Sequence, residues 1–240
     1  MSSPRAEGVF VTGTDTGIGK THASVGLLRA LSELGCRTAA MKPVASGARR
    51  TAAGLRNDDA LALQAAATVA AAYEEVNPYC FEPAIAPHIA ARRAGVEIDL
   101  GHIESRARGL CARADFMLVE GVGGWRVPLA PQLEVADLAR RLRLPVLMVV
   151  GLRLGCISHA LLTAAAIRQE ARGMLGWVAN AIDPEYGTAA ETIGALTERL
   201  GMPPMATLPA QRGQAGMPAP APWRAAAGQL LREGPCAPRG

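Results

Sequence analysis

Short apolar runs at residues 9–11, 37–41, 115–121, 145–150, 175–180 and 206–209 read as strands. Between them, residues 23–34, 60–72, 87–93, 100–114, 135–143, 157–171 and 187–200 place apolar positions at helical spacing. Residues 44–57 read as a polar loop, 76–81 as an extended piece broken by proline, and Asp58 as a candidate cap for the helix that follows. Strands that alternate with helices, with no hairpin turns between them, predict an α/β fold. Its sheet is doubly wound and mainly parallel, with helices on both faces in a three-layer sandwich. One domain is expected over residues 1–212. Residues 213–240, rich in proline, alanine and glycine, are expected to form a loosely attached tail, with a short helix over 223–232.

Half of the 240 residues are hydrophobic but only 4% are aromatic, so alanine, leucine and valine must fill the core. The formal charge of +4 is mild. Its arginines are scattered or in short pairs, without a basic helix interleaved with aromatics, which disfavours nucleic acid as a partner. The five cysteines, Cys36, Cys80, Cys111, Cys156 and Cys236, show no paired spacing and read as reduced thiols. No apolar run approaches the length of a membrane span, and residues 1–8 are polar without a signal-peptide core. A cytoplasmic location and no membrane partner are the expectation.

The chemistry gathers first at residues 13–21. The run Val9-Phe10-Val11 leads into Gly13-Thr14-Asp15-Thr16-Gly17-Ile18-Gly19-Lys20-Thr21, and a helix leads out. A strand, a glycine-rich loop, Gly-Lys-Thr and a helix make a phosphate-binding loop, in which backbone N–H groups and the helix N-terminus face an anion. One detail departs from the usual spacing: Thr14 stands where the first glycine is expected, and the glycine is Gly13. Lys20 and Lys42 are the only lysines among 25 basic residues. A compact ammonium reaches a phosphoryl oxygen that the planar arginine fork would meet awkwardly.

Ligands in such sheets lie at the carboxyl ends of the strands. That rule collects the loop after Val11, Lys42 and Ser46, Glu120, and Asn180. Thr21 and Glu120 are placed to hold magnesium, a hard cation that takes oxygen ligands and keeps waters. Asp59 fits either a metal ligand or a helix cap. Asn180 fits either a purine-reading amide or an ordinary strand-end turn. His22, His88, His102 and His159 lack metal-ligand spacing, and no serine or cysteine is paired with a histidine as a nucleophile.

Several segments together resemble the dethiobiotin synthetase family. They are residues 11–21 with their Gly-Thr-Asp-Thr lead-in, Lys42-Pro43-Val44-Ala45-Ser46-Gly47, Gly54-Leu55-Arg56-Asn57 with Asp59-Ala60-Leu61, and Val76-Asn77-Pro78-Tyr79. Others are Pro87-His88-Ile89, Glu120-Gly121 with Gly123-Gly124-Trp125, Leu154-Gly155-Cys156-Ile157 and Gly176-Trp177-Val178-Ala179-Asn180. The likeness covers residues 9–209. It implies a P-loop NTPase fold and an ATP- and magnesium-dependent ligase, which closes a ureido ring from 7,8-diaminononanoate and carbon dioxide through a carbamate and a carbamic-phosphoric anhydride.

By the same resemblance Lys42 and Lys20 are catalytic, and Thr21, Asp59 and Glu120 hold the metal. The nucleotide lies on Gly17, Ile18, Gly19, Lys20, Thr21, His22, Asp59, Glu120, Gly121, Val122, Gly123, Asn180, Pro209 and Ala210. The diamine meets Thr16 and Ser46, and its distant carboxylate meets Gly155, Cys156, Ile157 and Ser158 of the other subunit of a homodimer. Three positions depart from the family pattern: Ser158 stands for an asparagine, Thr192 for a tyrosine and Ala210 for a tryptophan.

Two other classes share parts of this pattern. Partitioning ATPases carry an early loop lysine where this chain has Asp15-Thr16. Small-molecule kinases carry an arginine-rich lid, and residues 51–56 make a poor one. A nucleotide-sensing module without catalysis is separated from both by kinetics alone.

Overall fold

The computed structural model describes residues 8–210 and 220–232. In chain order it opens with β1 (Gly8–Gly13), α1 (Lys20–Glu33), β2 (Thr38–Met41), β3 (Val44–Ser46), β4 (Arg49–Thr51), β5 (Gly54–Arg56), α2 (Asp58–Ala66) and α3 (Tyr73–Val76). Next come β6 (Tyr79–Phe81), α4 (Pro87–Ala94), α5 (Leu100–Cys111), β7 (Phe116–Glu120), β8 (Pro128–Ala130), β9 (Leu133–Glu134) and α6 (Val135–Leu142). The last part holds β10 (Val146–Leu152), α7 (Cys156–Glu170), β11 (Met174–Ala181), α8 (Ala189–Leu200), β12 (Ala206–Leu208), a 3₁₀ turn (Ala221–Trp223) and α9 (Arg224–Arg232).

Six strands form the central sheet in the order β12-β11-β10-β1-β7-β2, and every neighbouring pair is parallel. Alternate residues of β1 explain the two packed faces. Val9 and Val11 join Leu27, Leu28 and Leu31 of α1 and Leu63 of α2 in one core. Phe10 points the other way, into a core shared with Ile103 of α5, Leu138 of α6, Ile167 of α7 and Leu196 of α8. Both faces are covered, so β10 is buried at every position. The expected doubly wound three-layer sandwich is present.

Strand order reverses at β1, because β7 and β2 lie on one side of it and β10, β11 and β12 on the other. Such a switch point opens a crevice at the carboxyl ends of the strands. Register then decides which side chains meet there. Val11 pairs with Glu120 and Met41 with Val119, so Lys42 and Glu120 leave adjacent strand ends beside the phosphate loop.

The structure corrects several local expectations. The stretch over 44–57 is no simple loop: β4 and β5 form an antiparallel ribbon, β8 and β9 form another, and β3 pairs with β6. Asn57, and not Asp58, caps α2, with its side chain accepting the Ala60 N–H at 3.2 Å. Both aspartates lie inside the first turn, where they complement the helix dipole. The alanine-rich run stops at Ala66, because Ala67 turns extended, and Thr68 and Val69 donate N–H bonds to the Thr38 carbonyl. High alanine propensity yields there to pairing with the sheet edge. Helix α1 starts earlier than its apolar pattern, at Lys20, and α5 stops at Cys111.

Residues 220–232 are also docked. Trp223 is fully buried, and with Ala227 and Leu230 it joins the core under α1. Residues 213–219 and 233–240 of the expected tail lie outside the described residues.

Candidate active site

The phosphate loop leaves β1 at Gly13. A Cβ there would come within 2.7 Å of the Ile18 side chain and 3.1 Å of the Lys20 stem, so the glycine is where those side chains fold back over the strand end. Gly19 has φ +81°, and a Cβ on it would meet the Asn180 amide nitrogen at 2.2 Å. Both its conformation and its neighbour require glycine. Asn180, buried at the end of β11, donates to the Ile18 carbonyl at 2.8 Å and pins the loop from the opposite side of the sheet. The Lys20 ammonium donates to the Asp15 carbonyl at 2.9 Å, arching over the loop.

Glu120 is fully buried, yet each of its oxygens is bonded. The Thr21 hydroxyl donates to it at 2.8 Å, the Ser24 hydroxyl at 2.7 Å and the Lys42 ammonium at 2.7 Å. Lys42 also donates to the Gly121 carbonyl at 3.0 Å and lies 3.3 Å from an Asp59 oxygen. A charge so buried persists only when paired and hydrogen-bonded.

Charges set the protonation of the cluster. Burial works against the charged form of Lys42, but Glu120 and Asp59 outweigh it and hold its ammonium above the ordinary lysine value. Lys20 is pushed down to about 8 by burial and by Lys42, against Glu120, Asp59 and Asp15. Burial opposes ionisation of Asp59, yet Lys42, Thr21 and Lys20 together keep its carboxyl below the usual range. Two lysines face two carboxylates, so the cluster balances its own charge and each group holds its partners ionised.

A cleft of about 720 Å³ opens over this cluster. Of the expected residues, Thr16, Gly17, Gly19, Lys20, Thr21, Lys42, Ser46, Asp59, Val122 and Gly123 line it. Glu120 and Gly121 reach it through Lys42. The Ser46 hydroxyl oxygen is buried and has no hydrogen-bond partner within the protein. The Ile18 side chain is core, His22 is half-buried, and Pro209 and Ala210 follow β12; none of these lines the cleft.

Gly155, Cys156, Ile157 and Ser158 stand apart at the start of α7, with Gly155 and Ser158 exposed. Thr192 is buried, and its hydroxyl lies 2.9 Å from that of Tyr186, a tyrosine from the loop before α8. Asp15 ties the loop to the α7 approach by an ion pair with Arg153.

Sequence reasoning missed Ser24, Tyr73 and the wall residues Ala84, Ile85 and Ala86, and it gave no role to Asn57, Asn77 and Pro87, which it placed only within family-like segments. Ser24 carried one usable signal: three residues after Thr21, it shares a helix face with it.

Magnesium can be tested against this donor set. Among the described residues no three His, Cys, Asp or Glu side chains cluster as a metal site. Magnesium does not need three, since one or two carboxylates with a hydroxyl, waters and phosphate oxygens suffice. Thr21, Asp59 and Glu120 converge on one point of the cleft floor, where the Lys42 ammonium already bridges both carboxylates. The donors fit a hard cation.

Fold and site together define a P-loop nucleotide-dependent enzyme. A family model described as an AAA domain matches residues 7–216. "ATP-dependent dethiobiotin synthetase BioD" from Pseudomonas paraeruginosa is 56% identical over 201 residues, covering 83% of this chain and 88% of that one. The protein of the same name from Xanthomonas euvesicatoria pv. vesicatoria is 50% identical over 204 residues, with 85% and 91% covered. This chain belongs to the dethiobiotin synthetase family.

Among solved structures, the MinC:MinD cell division protein complex of Aquifex aeolicus aligns with TM-score 0.62 at 17% identity, covering 98% of this chain and 99% of that one. The Pyrococcus furiosus cell division ATPase MinD aligns with TM-score 0.56 at 16% identity, covering 96% and 99%. These two share the fold alone.

Proposed function

We propose that this protein is an ATP- and magnesium-dependent cyclo-ligase that makes dethiobiotin from 7,8-diaminononanoate and carbon dioxide. One amine adds carbon dioxide and loses a proton, giving a carbamate. A carbamate oxygen attacks the γ-phosphorus of ATP, and ADP leaves. The second amine then attacks the carbon of the mixed anhydride, closing the ring, and phosphate departs.

Positioning and neutralisation of charge are the protein's part in such a transfer. Lys20 and the loop N–H groups hold the triphosphate. Thr21, Asp59 and Glu120 hold magnesium, which neutralises phosphate charge when bound. Lys42 faces the carbamate and the transferring group from the other side. Thr16 and the unpartnered Ser46 hydroxyl take up the diamine. Gly17, Ile18, Gly19, His22, Gly121, Val122 and Gly123 surround the nucleotide by backbone, and Asn180, Pro209 and Ala210 lie towards its base. The observation that carries this reading is the Lys42–Glu120–Asp59–Thr21 cluster beside the phosphate loop. It sits in a chain at least half identical to named synthetases.

A homodimer belongs to the same reading. The start of α7, Gly155 to Ser158, takes the substrate carboxylate of the other subunit at a helix N-terminus. On that face Leu154 is 91% exposed and Leu162 is 69% exposed, which a partner surface would cover.

The test is ADP release by purified protein with ATP and magnesium. It is expected only when both the diamine and bicarbonate are present. ATP hydrolysis at an unchanged rate without the diamine would sink the ligase reading and favour a switch ATPase.

A further inference from the structure

One hydroxyl outside the cleft bonds the residue that begins the Asp59-bearing helix and, through Asn77, is linked to the Lys42 segment. Tyr73, on α3, is buried, and Arg56 stacks over its ring at 4.1 Å. Its oxygen accepts the Asn57 backbone N–H at 2.7 Å and donates to the Asn77 side-chain oxygen at 2.9 Å. Each asparagine carries the link onward. The Asn57 side chain caps α2, the helix that presents Asp59, and lies 3.4 Å from the Ser46 carbonyl. The Asn77 amide donates to the Lys42 carbonyl at 2.6 Å and to the Tyr79 carbonyl at 3.2 Å. The Lys42 N–H in turn donates to the Val76 carbonyl, at the end of α3. Lys42, Ser46 and Asp59 come from three separate segments, and every one of them ends on this chain of bonds.

We propose that Tyr73 is a positioning residue for the reaction, whose hydroxyl sets the spacing of Lys42 and Asp59 across the cleft. The inference rests on the function proposed above. Its physical basis is that the two asparagines bonded to the hydroxyl are buried, Asn57 7% and Asn77 3% exposed, so its removal leaves an N–H and an amide oxygen unpaired, while the Cys80 sulfur at 3.5 Å is a weak third neighbour. Burial raises the Tyr73 hydroxyl far above the usual tyrosine value, so it stays a donor to Asn77 at every working pH. The phosphate loop is anchored elsewhere, through Asn180 and β1, and lies outside this chain. The inference therefore separates two readouts: nucleotide holding is independent of Tyr73, while metal holding and turnover depend on it.

Tyr73→Phe removes only the hydroxyl. Expected is a kcat lower by about 10²-fold, the scale for a reacting group misplaced by about an ångström, with KM for ATP within about threefold. Titrating magnesium against binding of a fluorescent ATP analogue should move the metal midpoint up about tenfold, because Asp59 loses its anchor. Ile167→Val, a buried change on α7 away from α2 and α3, serves as a control of comparable stability loss and should leave both readouts unchanged.

Asn77→Asp keeps an acceptor for Tyr73 but removes the donor to the Lys42 carbonyl. It should lower kcat and leave the metal midpoint in place, and it remains informative if Tyr73→Phe does not fold. Tyr73→Phe or Asn77→Asp with wild-type kcat, or losses no larger than those of Ile167→Val, would overturn the proposal. If the wild type itself shows no diamine-dependent ADP release, the parent reading falls on that result, and the metal midpoint still judges Tyr73.

Discussion

Lys42 is 3% exposed and holds two carboxylates together, so its removal has a structural and a chemical consequence that can be told apart. In Lys42→Ala the Glu120 carboxylate keeps the Thr21 and Ser24 hydroxyls but loses its counter-charge. Breaking one side of a buried ion pair costs about 3–5 kcal/mol, so the melting temperature should fall by roughly 10 °C. Turnover should drop by about 10²–10³-fold, the usual loss when one donor to a developing charge is removed. ATP affinity, which the proposed function assigns to Lys20 and the loop, should stay within a few-fold by calorimetry; its collapse would place Lys42 on the nucleotide instead. Lys42 and Glu120 were legible in the sequence because each stands at the end of an apolar strand run, and Lys20 because it belongs to the Gly-Lys-Thr of the phosphate loop. Asn57, Tyr73 and Asn77 were not. Their chemistry is an amide, a phenol and an amide in polar stretches, and only the long-range bonds between those stretches distinguish them from loop residues.

At the scale of elements, the strands follow from runs whose apolar content serves two buried faces, and these were readable; their order around β1 was not, because it is set by pairing between distant segments. Boundaries set by a competing acceptor were not, such as the end of α2 at Ala66, beyond which the Thr38 carbonyl takes the Thr68 and Val69 N–H groups. The short helix expected over 223–232 is present as α9, but its docking was not legible: the proline-, alanine- and glycine-rich stretch from 213 reads as a loosely attached tail, whereas Trp223 packs between α1 and β12. Arg224 adds only a 3.7 Å pair with Glu33 between exposed groups, which contributes little. Trp223→Ala should therefore cost about 3–5 kcal/mol in chemical denaturation. Arg224→Ala should cost less than about 1 kcal/mol. Equal and small losses for both would mean that the segment beyond residue 220 adds nothing to the fold.

For the whole molecule, the cleft assembles the chemistry but leaves Gly155 to Ser158 outside it. On the function proposed above a second copy would complete the site, and α7 offers a surface for it: Leu162 lies one turn beyond Ser158 on the exposed face of the same helix. A two-fold contact there would be isologous, so a single charge introduced at Leu162 meets its own copy or an apolar neighbour twice over. Leu162→Arg should convert a dimer into a monomer by sedimentation velocity. The isolated fold should be unaffected, because the side chain is 69% exposed in one chain. Nucleotide binding should persist within a few-fold, since the phosphate loop is built within one subunit. KM for the diamine should rise by one to two orders of magnitude, about the worth of one charge-assisted carboxylate contact. A wild type that sediments as a monomer while turning over the diamine would refute the divided site and return the carboxylate to groups within one chain.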